Sequence, residues 1–246
     1  MQNPQIDIRR KDDRFHTQTG WLDSRHSFSF SHHYDTANTH HGLLLVSNDD
    51  VIRAGTGFDT HPHRDMEIVT WVLRGELEHK DSQGNRGIIY PGLAQRMSAG
   101  TGIWHSEMNP KSKEDVHLVQ MWVLPDKESV NPGYEQLDIN PQLEGGGLVP
   151  IASGRGHNAA IKIRQAGAVL WGGRLKPGQT VQVPDAAYVH LFIAKGSADL
   201  DGAGHLSAGD AVRLTGAGTP KLTAGAKTGA EVLIWEMSTK IPENIL

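Results

Sequence analysis

The chain has 246 residues, enough for one large domain or two modest ones, each with a real core. Hydrophobic residues make up 37% and charged residues 21%, ordinary for a globular protein in water, and the formal net charge of −4 favours neither nucleic acid nor an anionic membrane surface. There is no cysteine, so disulfides, thiolate ligands and cysteine nucleophiles are excluded together, and any metal must be held by histidine and carboxylate.

The opening residues, MQNPQIDIRRKDDRFH, carry charge and no apolar stretch of the kind a signal peptide needs. Runs such as GLLLV and IVTWVL are far too short to span a membrane, so a cytoplasmic protein is expected. Next, HSFSFSHHYD (26–35) alternates, with Phe28 and Phe30 on one face and serines on the other, and reads as a strand. Strands are expected again in GLLLVSN, MEIVTWVLRG, ELEHKDS and HLVQMWVLP. DSQGNRG reads as a hairpin turn, with Gly84 and Asn85 available for positive φ. Residues 124–154, rich in Pro, Gly and charge, read as an interdomain connection with a short helical turn. Beyond it, AVLWGGRL, YVHLFIAKG, AVRL and AEVLIWEM are strand-like. Many short strands with turn signals between them point to an all-β sandwich or barrel.

The two sides of the connection resemble each other. EIVTWVLRGELEHKDSQGN is echoed by YVHLFIAKGSADLDGAG, and YPGLAQRMSAG by LSAGDAVRLTGAG, the mark of a duplicated unit. Domains of 1–135 and 136–246 are expected. Aligning Gly75 with Gly196 and Gly92 with Gly209 places Gln182 and Pro184 at the positions of His61 and His63. It places Leu222 and Ala224 at those of His105 and Glu107. The second domain is therefore expected to carry no metal ligands.

His61 and His63 stand two apart in THPHRD, and His105 and Glu107 stand two apart in WHSEM. Residues i and i+2 of a strand share a face, so two adjacent strands would bring three imidazoles and one carboxylate to one point. That set suits a first-row divalent metal and leaves positions open on an octahedral ion. Spacing alone also fits surface histidines in loops beside a capping glutamate. For His32, His33, His40 and His41 the solvated loop is the expectation, and His117 reads as a hydrogen-bonded strand histidine. Phe58, Met97, Trp104, Met121 and Trp122 lie on or near the same strands as candidate pocket walls, although plain core fits most of them equally. GAGTPKLTAGAKTGAE lacks the glycine before Lys227 and the following helix of a phosphate loop, and reads as hairpin turns.

GTGFDTHPHRDMEIVTWVLRG resembles the first cupin motif, with seven residues between Glu67 and Gly75 where the general pattern has six. MSAGTGIWHSEMNP resembles the second, with His105 followed four residues later by Asn109 and with Ser98 in the place of the usual Pro. Together with TGWLDSRHSFSFSHHYD, these stretches closely resemble the pirins, in particular the bacterial pirin-like quercetin 2,3-dioxygenases. The resemblance is dense over residues 15–135; afterwards only bicupin architecture is implied.

That family implies two cupin (jelly-roll-like) β-barrel domains and one divalent transition metal, Fe(II) first, with Mn, Ni, Cu, Co or Zn as alternatives. The implied ligands are His61, His63, His105 and Glu107. Glu67 and Asn109 would stand behind them, Glu67 orienting an imidazole N–H. The implied activity is cleavage of a flavonol such as quercetin with O2, with ring opening, release of CO, and Glu107 as proton acceptor. An alternative within the family is a non-enzymatic, redox-sensitive regulator acting through protein contacts, and a small-molecule isomerase would use a similar metal set. A monomer without nucleic-acid or membrane partners is expected.

Overall fold

The computed structural model describes residues 4–110 and 113–242. Its first half is built from two antiparallel sheets. A seven-stranded sheet runs in the order Gly133–Asp138, Leu93–Ser98, Glu67–Arg74, Val116–Val123, Leu44–Ile52, Leu22–His26, Phe15–Gln18. A four-stranded sheet runs Gly57–His63, Ile103–Met108, Leu77–Asp81, Arg86–Ile89. The second half is a ten-stranded sheet centred on Tyr188–Leu200, Ala230–Met237 and Ala168–Leu175. These are open, cupin-like sheets and not the closed barrels anticipated from sequence: no ladder joins the two sheets of the first half among the described residues, and a cavity lies between them.

Strand chemistry explains most of this. Glu67–Arg74 and Val116–Val123 are rich in β-branched and aromatic residues and sit mid-sheet, where both faces are covered. The hairpin at residues 82–85 closes as expected, except that Gly84 alone takes positive φ (+87°) while Asn85 donates to Asp81. The stretch 26–35 departs from its alternating pattern. The strand ends at His26, and the chain then turns so that Phe28 enters the core and Phe30 pairs with His33 through an isolated bridge. Burial of two aromatics in different places outweighs the period-2 signal.

The two halves share a core. Trp71, Val119, Met121 and Val123 from one side pack with Leu170, Phe192, Leu233 and Trp235 from the other. The Trp71 indole N–H donates to Glu231 at 2.9 Å. The chain also crosses between halves: Gln5–Arg9 pairs antiparallel with Ala211–Thr215, while Gly133–Asp138, inside the expected connection, completes the first sheet beside Leu93–Ser98. The expected helical turn is present at Asn140–Glu144. No helix among the described residues is long and apolar enough to cross a membrane.

Candidate metal centre

Gly57–His63 and Ile103–Met108 are neighbours in antiparallel register, with His105 opposite His61 and Ile103 opposite His63. Period 2 then turns His61, His63, His105 and Glu107 to the inner face and Trp104 and Ser106 to the outer one. The register slips between His105 and Glu107, so that Glu107 faces Phe58; such a bulge re-aims side chains at sheet edges and sites. Ring centroids lie 4.4 Å apart for His61 and His105, and 4.9 Å for His63 with either. Donor atoms of these three imidazoles all fall within 4.8 Å of one another. Glu107 forms a second such group with His105 and His79.

Hydrogen bonds orient the rings. His61 Nδ1 lies 2.7 Å from the Asp59 carbonyl, which can only accept, so the proton sits on Nδ1 and Nε2 carries the lone pair. His105 Nε2 is buried with no hydrogen-bond partner among the described residues, an arrangement a buried polar atom avoids unless something else satisfies it. Burial, reinforced by neighbouring imidazoles, pushes His63 down to about 4 and His105 to about 3. Both are thus neutral, the form that donates to a metal. On these grounds the residues fit a divalent ion.

A cavity of about 230 Å³ adjoins the imidazoles. Three strands of the larger sheet each turn an i, i+2 pair into it: Ser24 and His26, Asn48 and Asp50, Gln120 and Trp122. Gln120 donates to Glu107 at 2.6 Å, and Thr70 donates to the other carboxylate oxygen at 3.4 Å. Burial pushes Asp50 up to about 7 against a hydrogen bond from Ser24. His26 is held down by burial while its Nδ1 donates to Asn48. Aromatic walls come from Phe30, Phe58 and Trp122; the last stands edge-on to His63 at 4.9 Å.

Of the five wall candidates, Phe58 and Trp122 line the cavity and three do not. Met121 is one position out of phase with Gln120 and Trp122, so it faces the shared core, where its sulfur accepts from the Trp235 indole. Met97 is buried among Ile68, Ala99 and Ile103. Trp104 is 54% exposed on the outer face of its strand. Among the described residues Glu67 hydrogen-bonds no imidazole: its carboxylate accepts from Ser98 at 2.8 Å and from the Arg164 amide at 3.1 Å, clipping the halves together, and burial raises its affinity for a proton. Asn109 serves backbone, its amide donating to the carbonyls of Ile52 and Glu114.

Among the remaining histidines, His117 pairs with Asp49 at 2.6 Å, as a strand histidine should. His32 is exposed, but His33 stacks on Phe15 at 5.3 Å, and His41 lies against Tyr188 with Nε2 3.2 Å from the Leu214 carbonyl. These contacts replace the solvated loop anticipated for both. Sequence reasoning missed His26, Asn48, Asp50, Gln120, His79 and Asp81. A partial signal was present in Asn48 and Asp50, two apart in the strand Leu44–Ile52, and in Gln120 within the mostly apolar Val116–Val123; Leu22–His26 and Leu77–Asp81 are polar at most positions and gave none.

The pirin family model matches residues 8–123, and a model of the quercetinase C-terminal cupin domain matches residues 150–237. A Mycobacterium tuberculosis protein, provisionally named a quercetin 2,3-dioxygenase, is 58% identical over 97% of this chain and 98% of its own length. The chain belongs to the pirin family. An Escherichia coli quercetin 2,3-dioxygenase is 42% identical over 80% of this chain and 84% of its own. The bacterial pirin YhhW of Escherichia coli, solved in complex with nickel(II), superposes with a TM-score of 0.86 at 35% identity, over 96% of this chain and all of that one. Pirin membership and two cupin units are thus common ground between sequence and structure.

Proposed function

We propose that this pirin is a metal-dependent dioxygenase that opens the central ring of a flavonol-like substrate with O2 and releases CO. In this reading His61, His63, His105 and Glu107 hold one divalent ion, Fe(II) first, and the half carrying residues 136–246 contributes none of the ligands. The observation that carries it is the buried Nε2 of His105, without a hydrogen-bond partner among the described residues, set beside His61 and His63, which line a cavity. Bound there, the ion supplies Lewis acidity towards a substrate hydroxyl and a redox partner for oxygen.

The protein's own groups account for the rest. Phe30, Phe58 and Trp122 offer flat apolar contact to a planar aromatic, and they exclude water from its central ring. Ser24, His26, Asn48 and Asp50 present hydrogen-bonding groups to peripheral hydroxyls. The Glu107 carboxylate is the acceptor placed for the 3-hydroxyl proton, with Gln120 and Thr70 fixing its orientation. Asp50, near neutrality in its affinity for a proton, can hold one in the opposite wall.

The test is oxygen uptake with quercetin by metal-analysed protein, beside His61→Ala and Glu107→Gln. Uptake that follows metal content, vanishes in the first variant and falls steeply in the second supports the proposal. Stoichiometric metal without uptake, across Fe, Mn, Ni, Cu and Co, overturns it in favour of a regulatory role or another substrate.

A further inference from the structure

The strand Leu77–Asp81 flanks the His105 strand on the side away from His61 and carries a pair of its own, His79 and Asp81, two apart. Register sets Asp81 opposite His105 and His79 opposite Glu107. Both side chains are fully buried, where an imidazole and a carboxylate are tolerated only when paired. Asp81 Oδ2 lies 3.2 Å from His79 Nε2, and His79 Nδ1 lies 3.4 Å from His105 Nδ1.

Donor and acceptor roles along this chain are self-consistent in one way. Asp81 accepts from the amides of Gln83 and Asn85 and from the Asn85 side chain. Burial pushes its carboxyl up, but these bonds and that from His79 outweigh it and hold the group below the usual range, ionised. A carboxylate only accepts, so His79 donates to it from Nε2, which leaves Nδ1 as the atom that accepts. His105 must then donate from Nδ1. That leaves the lone pair of His105 on Nε2, the buried atom without a partner. The opposite polarity, with His79 donating to His105, would strand an N–H on that same buried atom, which is costly.

The surroundings lock the arrangement. The Tyr134 ring stacks on His79 at 4.9 Å and 30°. Gly87 keeps the room for it, since a Cβ there would come within 2.6 Å of the Tyr134 hydroxyl.

We propose that Asp81 and His79 form a carboxylate–imidazole relay that fixes the tautomer of His105, aims its Nε2 lone pair into the metal position and strengthens it as a donor. This rests on the metal site proposed above. His79 is a positioning residue here and not a further ligand. Its ring reaches within 4.8 Å of the donor atoms of His105 and Glu107, but both its nitrogens are already committed.

The experiment compares wild type with His79→Leu, His79→Gln and Asp81→Asn. It measures nickel(II) affinity by chelator competition, the Fe(III)/Fe(II) midpoint potential, and the number of coordinated imidazoles by pulsed EPR of the copper(II) form. Loss of the relay in His79→Leu should weaken nickel binding about 10–100-fold and shift the midpoint positive. Glutamine, whose side-chain oxygen can accept from His105, should recover most of the affinity. Asp81→Asn should shift the potential the same way but less, and the imidazole count should stay as in wild type. Unchanged affinity and potential in His79→Leu would overturn the relay, as would one imidazole fewer in the His79 variants. Equal losses in the leucine and glutamine variants, matched by equal falls in apoprotein melting temperature, would reduce His79 to packing and overturn it too. Wild type that binds no metal overturns the site reading itself, an outcome distinct from all of these.

Discussion

The long inner strand of each half meets a glycine with nearly the same backbone: Gly75, just after Glu67–Arg74, at φ +77°, and Gly196, within Tyr188–Leu200, at φ +71°. The next pair of turns matches as well, Gly92 at +89° and Gly209 at +92°. Strand pairing is also repeated, Ile103–Met108 against Gly57–His63 in one half and Lys221–Ala224 against Thr180–Gln182 in the other. What differs is what the strands turn inward. Where the first half has His105 and Glu107 beside a cavity, the second buries Leu222 and Ala224 among Leu191, Leu206 and Val212. Leu200, opposite Leu222, and Ala198, opposite Ala224, occupy the places that Asp81 and His79 hold opposite His105 and Glu107. The same scaffold thus carries polar pairs around open space or an aliphatic filling, and the site is a property of a few inward positions rather than of the fold.

The sharpest break of this comparison is His61→Ala. Metal binding and oxygen consumption are expected to fall to the detection limit, while the melting temperature of the metal-free protein stays within a few degrees. The corresponding interior position should behave the opposite way. Leu222→Ala leaves a cavity in the packed half, costing about 2–5 kcal/mol by urea unfolding, with metal content per folded molecule unchanged.

Acid should probe the junction between the halves. Burial lowers the proton affinity of His41 to about 4, against an unfolded value near 6.5. Its contribution is therefore fully present above pH 6.5 and is lost as pH falls towards 4, about 3 kcal/mol in all. A His41→Gln variant should show a flatter stability profile between those limits, and an unchanged slope would refute the assignment.

The smallest effect separates the two matched turns. A Cβ on Gly196 would meet the Gly229 carbonyl at 2.2 Å, whereas one on Gly75 would meet that of Asp115 at 3.0 Å. Both alanine variants lose about 1 kcal/mol to positive φ, and Gly196→Ala should lose measurably more in the same unfolding assay.

The all-β class, the duplicated unit and the two pairs of candidate ligands were legible because each rests on a local rule. Period 2 gives strands, glycine marks turns, and i, i+2 spacing puts two donors on one face. The rule also had the information to exclude Trp104, which alternates with His105, and Met121, which alternates with Gln120. Glu67 misled because a buried glutamate on a motif strand looks like a partner for an imidazole, and only the position of Ser98 and Arg164 reveals what it binds. The break after His26 was invisible because Phe28 and Phe30 obey strand alternation yet are buried in separate places.

By itself, then, the sequence determined which residues could share a face and which half could hold a metal, since both follow from spacing along one strand. Tertiary structure alone decided which strands stand side by side, and so that His79 and Asp81 reach His105, that Ser24, His26, Asn48, Asp50 and Gln120 form the facing wall, and that the first strand joins the second half. Those relations depend on sheet order and register between segments far apart in the chain, which no periodicity within a segment encodes.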